Sequence, residues 1–243
     1  MVSVEHLSNI DDTLKASLDE LAQACRVLEM EGHSDMTLGH MSLRDPGGRG
    51  LWLKRSGISL GEVQSHDDFT LIDFDGNKLA GVGRVHKEWP IHTKIMQARP
   101  DVNAVGHTHP LHACAFSATD EELKAVTHEA TYLGGPPARY DGTTGLIDTP
   151  KLGRDLAESL GDASTVLMRN HGISFVGPTI PIAAMMGIFI EKACRAQLLL
   201  MAAGVPYTAT PANELAAKRA QVFDGPLVES HWNYFLRRLD AKS

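Results

Sequence analysis

The chain has 243 residues, 43% of them hydrophobic, enough for one large domain with a sizeable core. Its net charge of -7 and its lack of a basic block argue against nucleic acid as a partner, because phosphate binding needs clustered Lys and Arg. Cys25, Cys114 and Cys194 are odd in number and scattered, which excludes a disulfide framework and points to a reduced, cytoplasmic setting with the thiols in the core.

The start, Met1 to His6, lacks a basic end followed by an apolar core and reads as no signal peptide. Residues 11–32 carry Leu14, Leu18, Leu21, Cys25 and Leu28 at three- and four-residue steps, which predicts an amphipathic helix stopped at Gly32. His40 to Arg44 alternates as a strand, turns at Asp45-Pro46-Gly47-Gly48, and returns through Leu51-Trp52-Leu53. Ser56-Gly57 is a loop. Phe69 to Phe74 and Lys78 to Ala80 flank a turn at Asp75-Gly76-Asn77, so this third of the chain reads as an antiparallel meander.

A helix begins near Glu88, with Pro90 tolerated in its first turn and Ile91, Ile95 and Met96 on its apolar face. Val102 to His109 reads as a buried strand ended by Pro110, followed by a short helix from His112 to Phe116. Residues 127–132 fit no one state, and Gly134 to Pro137 is a loop. Leu152 to Leu160 is an amphipathic helix closed by Gly161. Thr165 to Met168 is a buried strand leading to Asn170-His171-Gly172, and Ile173 to Val176 is another. Ile182 to Ala203 is a long apolar helix whose apolar run is too short and mixed to span a membrane. Residues 214–223 are a surface helix and residues 230–239 a terminal amphipathic one. With no repeat or linker, residues 1–243 read as a single α/β domain.

The chemistry concentrates on His107-Thr108-His109. Side chains at i and i+2 of a strand share a face, so both rings can aim at one point, as a metal pair must. His171 stands at another strand end, and three protein ligands leave a position open for water or substrate. Glu88, at a helix start where the dipole favours its charge, supplies an acid/base group and a further ligand. His92, one turn beyond Glu88, is either a rival ligand or a core-facing histidine, and the core reading is preferred.

Together these segments resemble the class II aldolase/adducin superfamily, which includes fuculose-phosphate aldolase and ribulose-phosphate 4-epimerase. The marks are Thr37-Leu38-Gly39-His40-Met41-Ser42-Leu43-Arg44, Ser56-Gly57, Asp73-Phe74-Asp75-Gly76, Glu88-Trp89-Pro90-Ile91-His92, Arg99-Pro100-Asp101-Val102, His107-Thr108-His109-Pro110 and Asn170-His171-Gly172. The resemblance implies a three-layer α/β/α sandwich with a mostly antiparallel sheet. It implies one divalent ion per subunit on His107, His109 and His171, with Glu88 beside it: zinc or manganese, or iron in some branches. It also implies a homotetramer with sites at subunit interfaces.

Sugar-phosphate aldolases of this family carry Gly-Asn where this chain has Gly39-His40, and Ser-Ser-Glu where it has His86-Lys87-Glu88. The phosphate cradle is thus altered in two places. The family tyrosine after the metal pair aligns on His128, and Tyr234 resembles the C-terminal tyrosine that reaches a neighbouring subunit's site, helix packing being its other reading. These departures resemble the branch that decarboxylates hydroxylated aromatic or pyridine (di)carboxylates or related ring-cleavage products. The implied substrate is a small anion, with His40, Ser56, Gly57, His86 and His128 as substrate contacts and Glu88, Tyr234 and His40 as catalytic groups. An aldolase or epimerase acting on a sugar phosphate or sugar acid, an adducin-like scaffold and an iron oxygenase are the alternatives.

Overall fold

The computed structural model describes residues 10–241. The segment Met1 to His6 lies outside them.

The first helix, α1 (Asp12–Leu28), starts where the Asp11 carboxylate accepts from the Leu14 N–H at 2.7 Å. Leu18, Leu21, Cys25 and Leu28 are fully buried along one face. The chain then widens into a π-helical turn, Glu29–His33, and leaves it at Gly32, whose φ of +90° favours glycine.

Eight strands form one sheet: β1 (His40–Arg44), β2 (Leu51–Lys54), β3 (Phe69–Ile72), β4 (Lys78–Gly81), β5 (Ala104–Thr108), β6 (Ala138–Tyr140), β7 (Thr165–Met168) and β8 (Gly172–Gly177). Their spatial order is β4-β3-β2-β1-β5-β8-β7-β6. Every neighbouring pair is antiparallel except β6 with β7. The expected meander is therefore one half of the sheet.

Alternation along the strands divides the interior into two layers. Trp52, Leu71, Ala104 and Phe175 pack against α1 and the long helix α6 (Ile180–Ala203). Leu51, Leu53, Ile72 and Val105 pack against α2 (Trp89–Ala98) and α5 (Pro150–Leu160). Short helices α3 (Leu111–Ser117) and α4 (His128–Tyr132), with α7 (Ala212–Val222) and α8 (Gly225–Asp240), complete the α6 side. This is the three-layer sandwich expected, with a mostly antiparallel sheet. Among the described residues no helix is long and apolar enough to cross a membrane.

Several boundaries differ from those read in the sequence. The segment 127–132 is helical because the Thr127 hydroxyl caps it, accepting from the Ala130 N–H. Thr149, Thr179 and Asp224 cap α5, α6 and α8, so each starts with a proline in its first turn and earlier than its apolar pattern suggests. β6 has no hydrophobic run to announce it; it exists because β7 offers it an edge.

Candidate metal centre and adjoining cavity

The sheet delivers the cluster. His107 is in β5 opposite His40 of β1, and both project to the α2 side along with Ser42 and Val105. His109 follows β5, just before Pro110 caps α3. His171 sits in the tight turn joining β7 to β8, where Asn170 adopts φ +54°. Gly172 closes that turn because a Cβ there would stand 2.5 Å from His109 Cδ2 and 2.6 Å from the Thr108 carbonyl. Glu88 precedes α2 and accepts the Ile147 N–H on Oε1 at 2.8 Å.

One ligand atom from each of Glu88, His107, His109 and His171 lies within 4.8 Å of the others. Nε2 of His107 is 3.0 Å from Nε2 of His109 and 3.4 Å from Glu88 Oε2. His171 Nε2 is 3.5 Å from Glu88 Oε1. An ion with tetrahedral bonds of about 2.0–2.1 Å spaces its ligands about 3.3–3.4 Å apart, so this donor set fits one divalent ion. The far side of the rings agrees. His107 Nδ1 donates to the Ile173 carbonyl and His109 Nδ1 to the Asp35 carboxylate, each at 2.9 Å. Both protons are thereby committed away from the cluster, and both Nε2 lone pairs face it.

The electrostatics match. Burial, with the neighbouring His107, pushes His109 and His171 down to about 4, so at neutral pH both are the uncharged form that ligates. Burial raises the Glu88 carboxyl, but His107 and the Ile147 N–H outweigh it and hold it down at about 2. His92 is not in the cluster. It is fully buried on α2 and hydrogen-bonded to His40 and Ser42.

A cavity of about 450 Å³ opens beside the cluster. Glu88 and His109 of the cluster form one side of it, His40, Ser56 and His86 its polar wall, and Leu38, Val85 and Leu146 its apolar one. Arg84 and Lys87 also line it. Both are exposed, and neither side chain has an ion-pair or hydrogen-bond partner among the described residues. The His40 and His86 rings meet at a 47° tilt, 4.3 Å between centroids. Burial, then the charge of buried Lys54, brings His86 down to about 3. Gly57 turns the chain after Ser56 at φ +94°.

His128 and Tyr234 are elsewhere in this chain. His128 stacks on Tyr132 in α4, and Tyr234 lies on α8, 49% exposed. Arg139 is also away from the cavity and holds the carbonyls of Ser117, Thr119 and Glu121. Sequence reading missed Asp35, Ser42 and Arg84. No spacing ties Asp35 to His109, 74 residues later. Only the isolated bridge between Ser56 and Arg84 brings that arginine to the cavity.

The fold and the cluster define an α/β protein whose strand ends can hold one divalent ion. Residues 19–198 match the model of the Class II Aldolase and Adducin N-terminal domain, and the chain belongs to that family. It is 28% identical to a 3,4-dihydroxyphthalate decarboxylase of Arthrobacter keyseri over 239 residues, 92% of this chain and 94% of the relative. It is 30% identical to an L-fuculose phosphate aldolase of Methanococcus maripaludis over 183 residues, 75% of this chain and 97% of the relative. An aldolase II superfamily protein from Pseudomonas syringae superposes with a TM-score of 0.84 at 26% identity, covering 97% of this chain and 96% of that one. These likenesses support a lyase of the class II aldolase type.

Proposed function

We propose that the protein is a metal-dependent carbon–carbon lyase that decarboxylates a hydroxylated aromatic or pyridine (di)carboxylate, or a related ring-cleavage product. The observation that carries this reading is the cavity wall. Imidazoles His40 and His86 and the unpaired cations Arg84 and Lys87 stand where a sugar-phosphate cradle would be, facing the apolar side chains of Leu38, Val85 and Leu146. A flat anion with a carboxylate on one end and oxygen ligands on the other fits such walls.

His107, His109 and His171 would hold the ion, with Glu88 as the fourth ligand in the resting site. Zinc or manganese suits this donor set, iron less so. When bound, the metal supplies Lewis-acid stabilisation of negative charge on a chelated substrate oxygen. Arg84 and Lys87 orient the anionic end. Glu88, ionised at rest, takes the proton of the substrate hydroxyl. Glu88 then delivers that proton to the ring carbon that bears the carboxylate, pushed there by the negative charge on the hydroxyl oxygen. The carbon–carboxylate bond breaks, carbon dioxide leaves, and its electron pair restores the aromatic ring. The apolar wall excludes water while the dearomatised ring persists.

We read residues 1–243 as one catalytic domain working in the cytoplasm as a homotetramer. Tyr234, and His128 with it, would then serve a neighbouring subunit's site, Tyr234 as a catalytic group and His128 as a substrate contact. The fuculose-phosphate aldolase likeness supports a second reading, aldol cleavage or epimerisation of a sugar phosphate or sugar acid, whose phosphate the same two cations can bind.

The test is carbon dioxide release from protein reconstituted with zinc or manganese. Hydroxylated phthalates and pyridine dicarboxylates are assayed beside fuculose and ribulose phosphates. Release from an aromatic member is expected. Turnover of a sugar phosphate alone would establish the second reading.

A further inference from the structure

On the α2 side of β1, two buried imidazoles and a hydroxyl form a chain that ends in the backbone. His40 Nδ1 lies 2.7 Å from His92 Nε2, and His92 Nδ1 lies 2.7 Å from Ser42 Oγ. The Ser42 hydroxyl donates onward to the Val105 carbonyl at 3.5 Å. His92 and Ser42 are fully buried and His40 is 2% exposed. Neither ring pairs with a carboxylate among the described residues, and burial without a counter-charge favours the neutral imidazole.

A neutral imidazole donates through one nitrogen and accepts through the other, a hydroxyl has one proton to give, and a carbonyl only accepts. The last group therefore sets the polarity of the whole chain. Ser42 gives its proton to Val105, His92 Nδ1–H donates to Ser42, and His40 Nδ1–H donates to His92 Nε2. The opposite polarity would leave the Val105 contact without a proton. His40 is then left with a bare Nε2 on the cavity side.

We propose that His92 is a positioning residue: with Ser42 and the Val105 carbonyl it locks His40 as the Nδ1–H tautomer, so that His40 Nε2 accepts a hydrogen bond from a substrate hydroxyl. A carboxylate placed there would meet a lone pair rather than a proton. The anionic end of the substrate goes instead to Arg84 and Lys87. The hydroxyl assignment rests on the carboxylate-lyase reading; the tautomer assignment does not.

The experiment uses the zinc-loaded full-length protein labelled with ¹⁵N-histidine. Long-range ¹H–¹⁵N spectra separate protonated from bare imidazole nitrogens, and they are read without substrate. Wild-type protein, His92→Gln and His92→Phe are compared. Glutamine can accept from His40 and donate to Ser42, whereas phenylalanine can do neither. The expected result is His40 as Nδ1–H in wild type and in His92→Gln, and a mixture of tautomers in His92→Phe with zinc still bound. Binding of 3,4-dihydroxyphthalate and phthalate is measured on the same samples. The preference for the hydroxylated probe falls about tenfold in His92→Phe, the worth of one hydrogen bond, and is retained in His92→Gln. If His92→Phe does not fold, Ser42→Ala cuts the chain one link further on and carries the same expectation. A proton on His40 Nε2 in wild type overturns the proposal, as does an unchanged preference in the variant that cuts the chain. Failure of both probes to bind overturns the hydroxyl assignment. Absence of carbon dioxide release with the tautomer as expected overturns only the decarboxylase reading.

Discussion

His109 donates from Nδ1 to Asp35 at 2.9 Å, and that one bond turns its Nε2 toward His107, 3.0 Å away. The carboxylate fixes the tautomer and raises the basicity of the ligating nitrogen. Asp35→Asn is therefore expected to weaken zinc affinity by roughly 10–100-fold while leaving the fold intact. Competition against a chromophoric chelator measures it. An affinity equal to wild type would show that His109 orients itself.

Removing a proposed ligand is expected to have a larger effect. His109→Ala is expected to abolish both metal binding and turnover. Glu88→Gln is expected to keep the ion on three histidines but to lose roughly 10²–10⁴-fold in kcat, the usual worth of a positioned proton carrier. Metal content by mass spectrometry beside steady-state rates separates the two. Wild-type rates in Glu88→Gln would mean that the proton moves through another group.

Gly172→Ala would set a methyl 2.5 Å from His109 Cδ2, against a backbone carbonyl that cannot yield. The variant is expected to lose about 1–3 kcal/mol of stability and to bind metal more weakly, since the ring must swing off its line. Chemical denaturation of apo and metal-loaded protein reports both effects. A loss in the metal-loaded protein alone would place the clash at the ligand rather than in the turn.

Arg84→Ala and Lys87→Ala test the anionic wall. Each is expected to raise KM about tenfold for an anionic substrate with a smaller change in kcat, because the cation binds the ground state and transition state alike. The KM of wild type should also rise with ionic strength, and that rise should flatten in the double variant. A KM indifferent to both substitutions would remove these residues from the site.

Acid sensitivity follows from His33. It is fully buried, with Nδ1 on the Thr108 hydroxyl at 2.8 Å, and burial followed by the Lys192 charge pushes its pKa from 6.5 down to about 3. Between those values the unfolded chain binds the proton and the folded chain does not, so stability rises with pH across that window. The contribution is complete above pH 6.5 and is lost as pH falls toward 3. Urea midpoints from pH 7 to 4 should fall more steeply in wild type than in His33→Gln. Parallel curves would assign the acid loss to other groups.

Much was written in the sequence. The three- and four-residue spacing of Leu14, Leu18 and Leu21 makes a helix with one apolar face wherever it packs, because helical periodicity is local. The i, i+2 spacing of His107 and His109 aimed both rings at one point for the same kind of reason, although the strand itself stops at Thr108, one residue earlier than read. The resemblance on the Glu88, His107-Thr108-His109 and Asn170-His171-Gly172 motifs predicted the sandwich that the sheet shows. Tertiary structure alone decided the rest. β6 pairs only because β7 leaves an edge open, and Asp35 reaches His109 only because the chain after α1 folds back over the end of β5. The sequence left His92 two roles, rival ligand or core-facing histidine, and favoured the core. What settled it is the register of β1 against β5, which sets His40 and Ser42 on the α2 side within 2.7 Å of its two nitrogens. A strand's alternation is local and legible in sequence, but which strand lies beside it, and in what register, is a long-range choice made by packing the whole core.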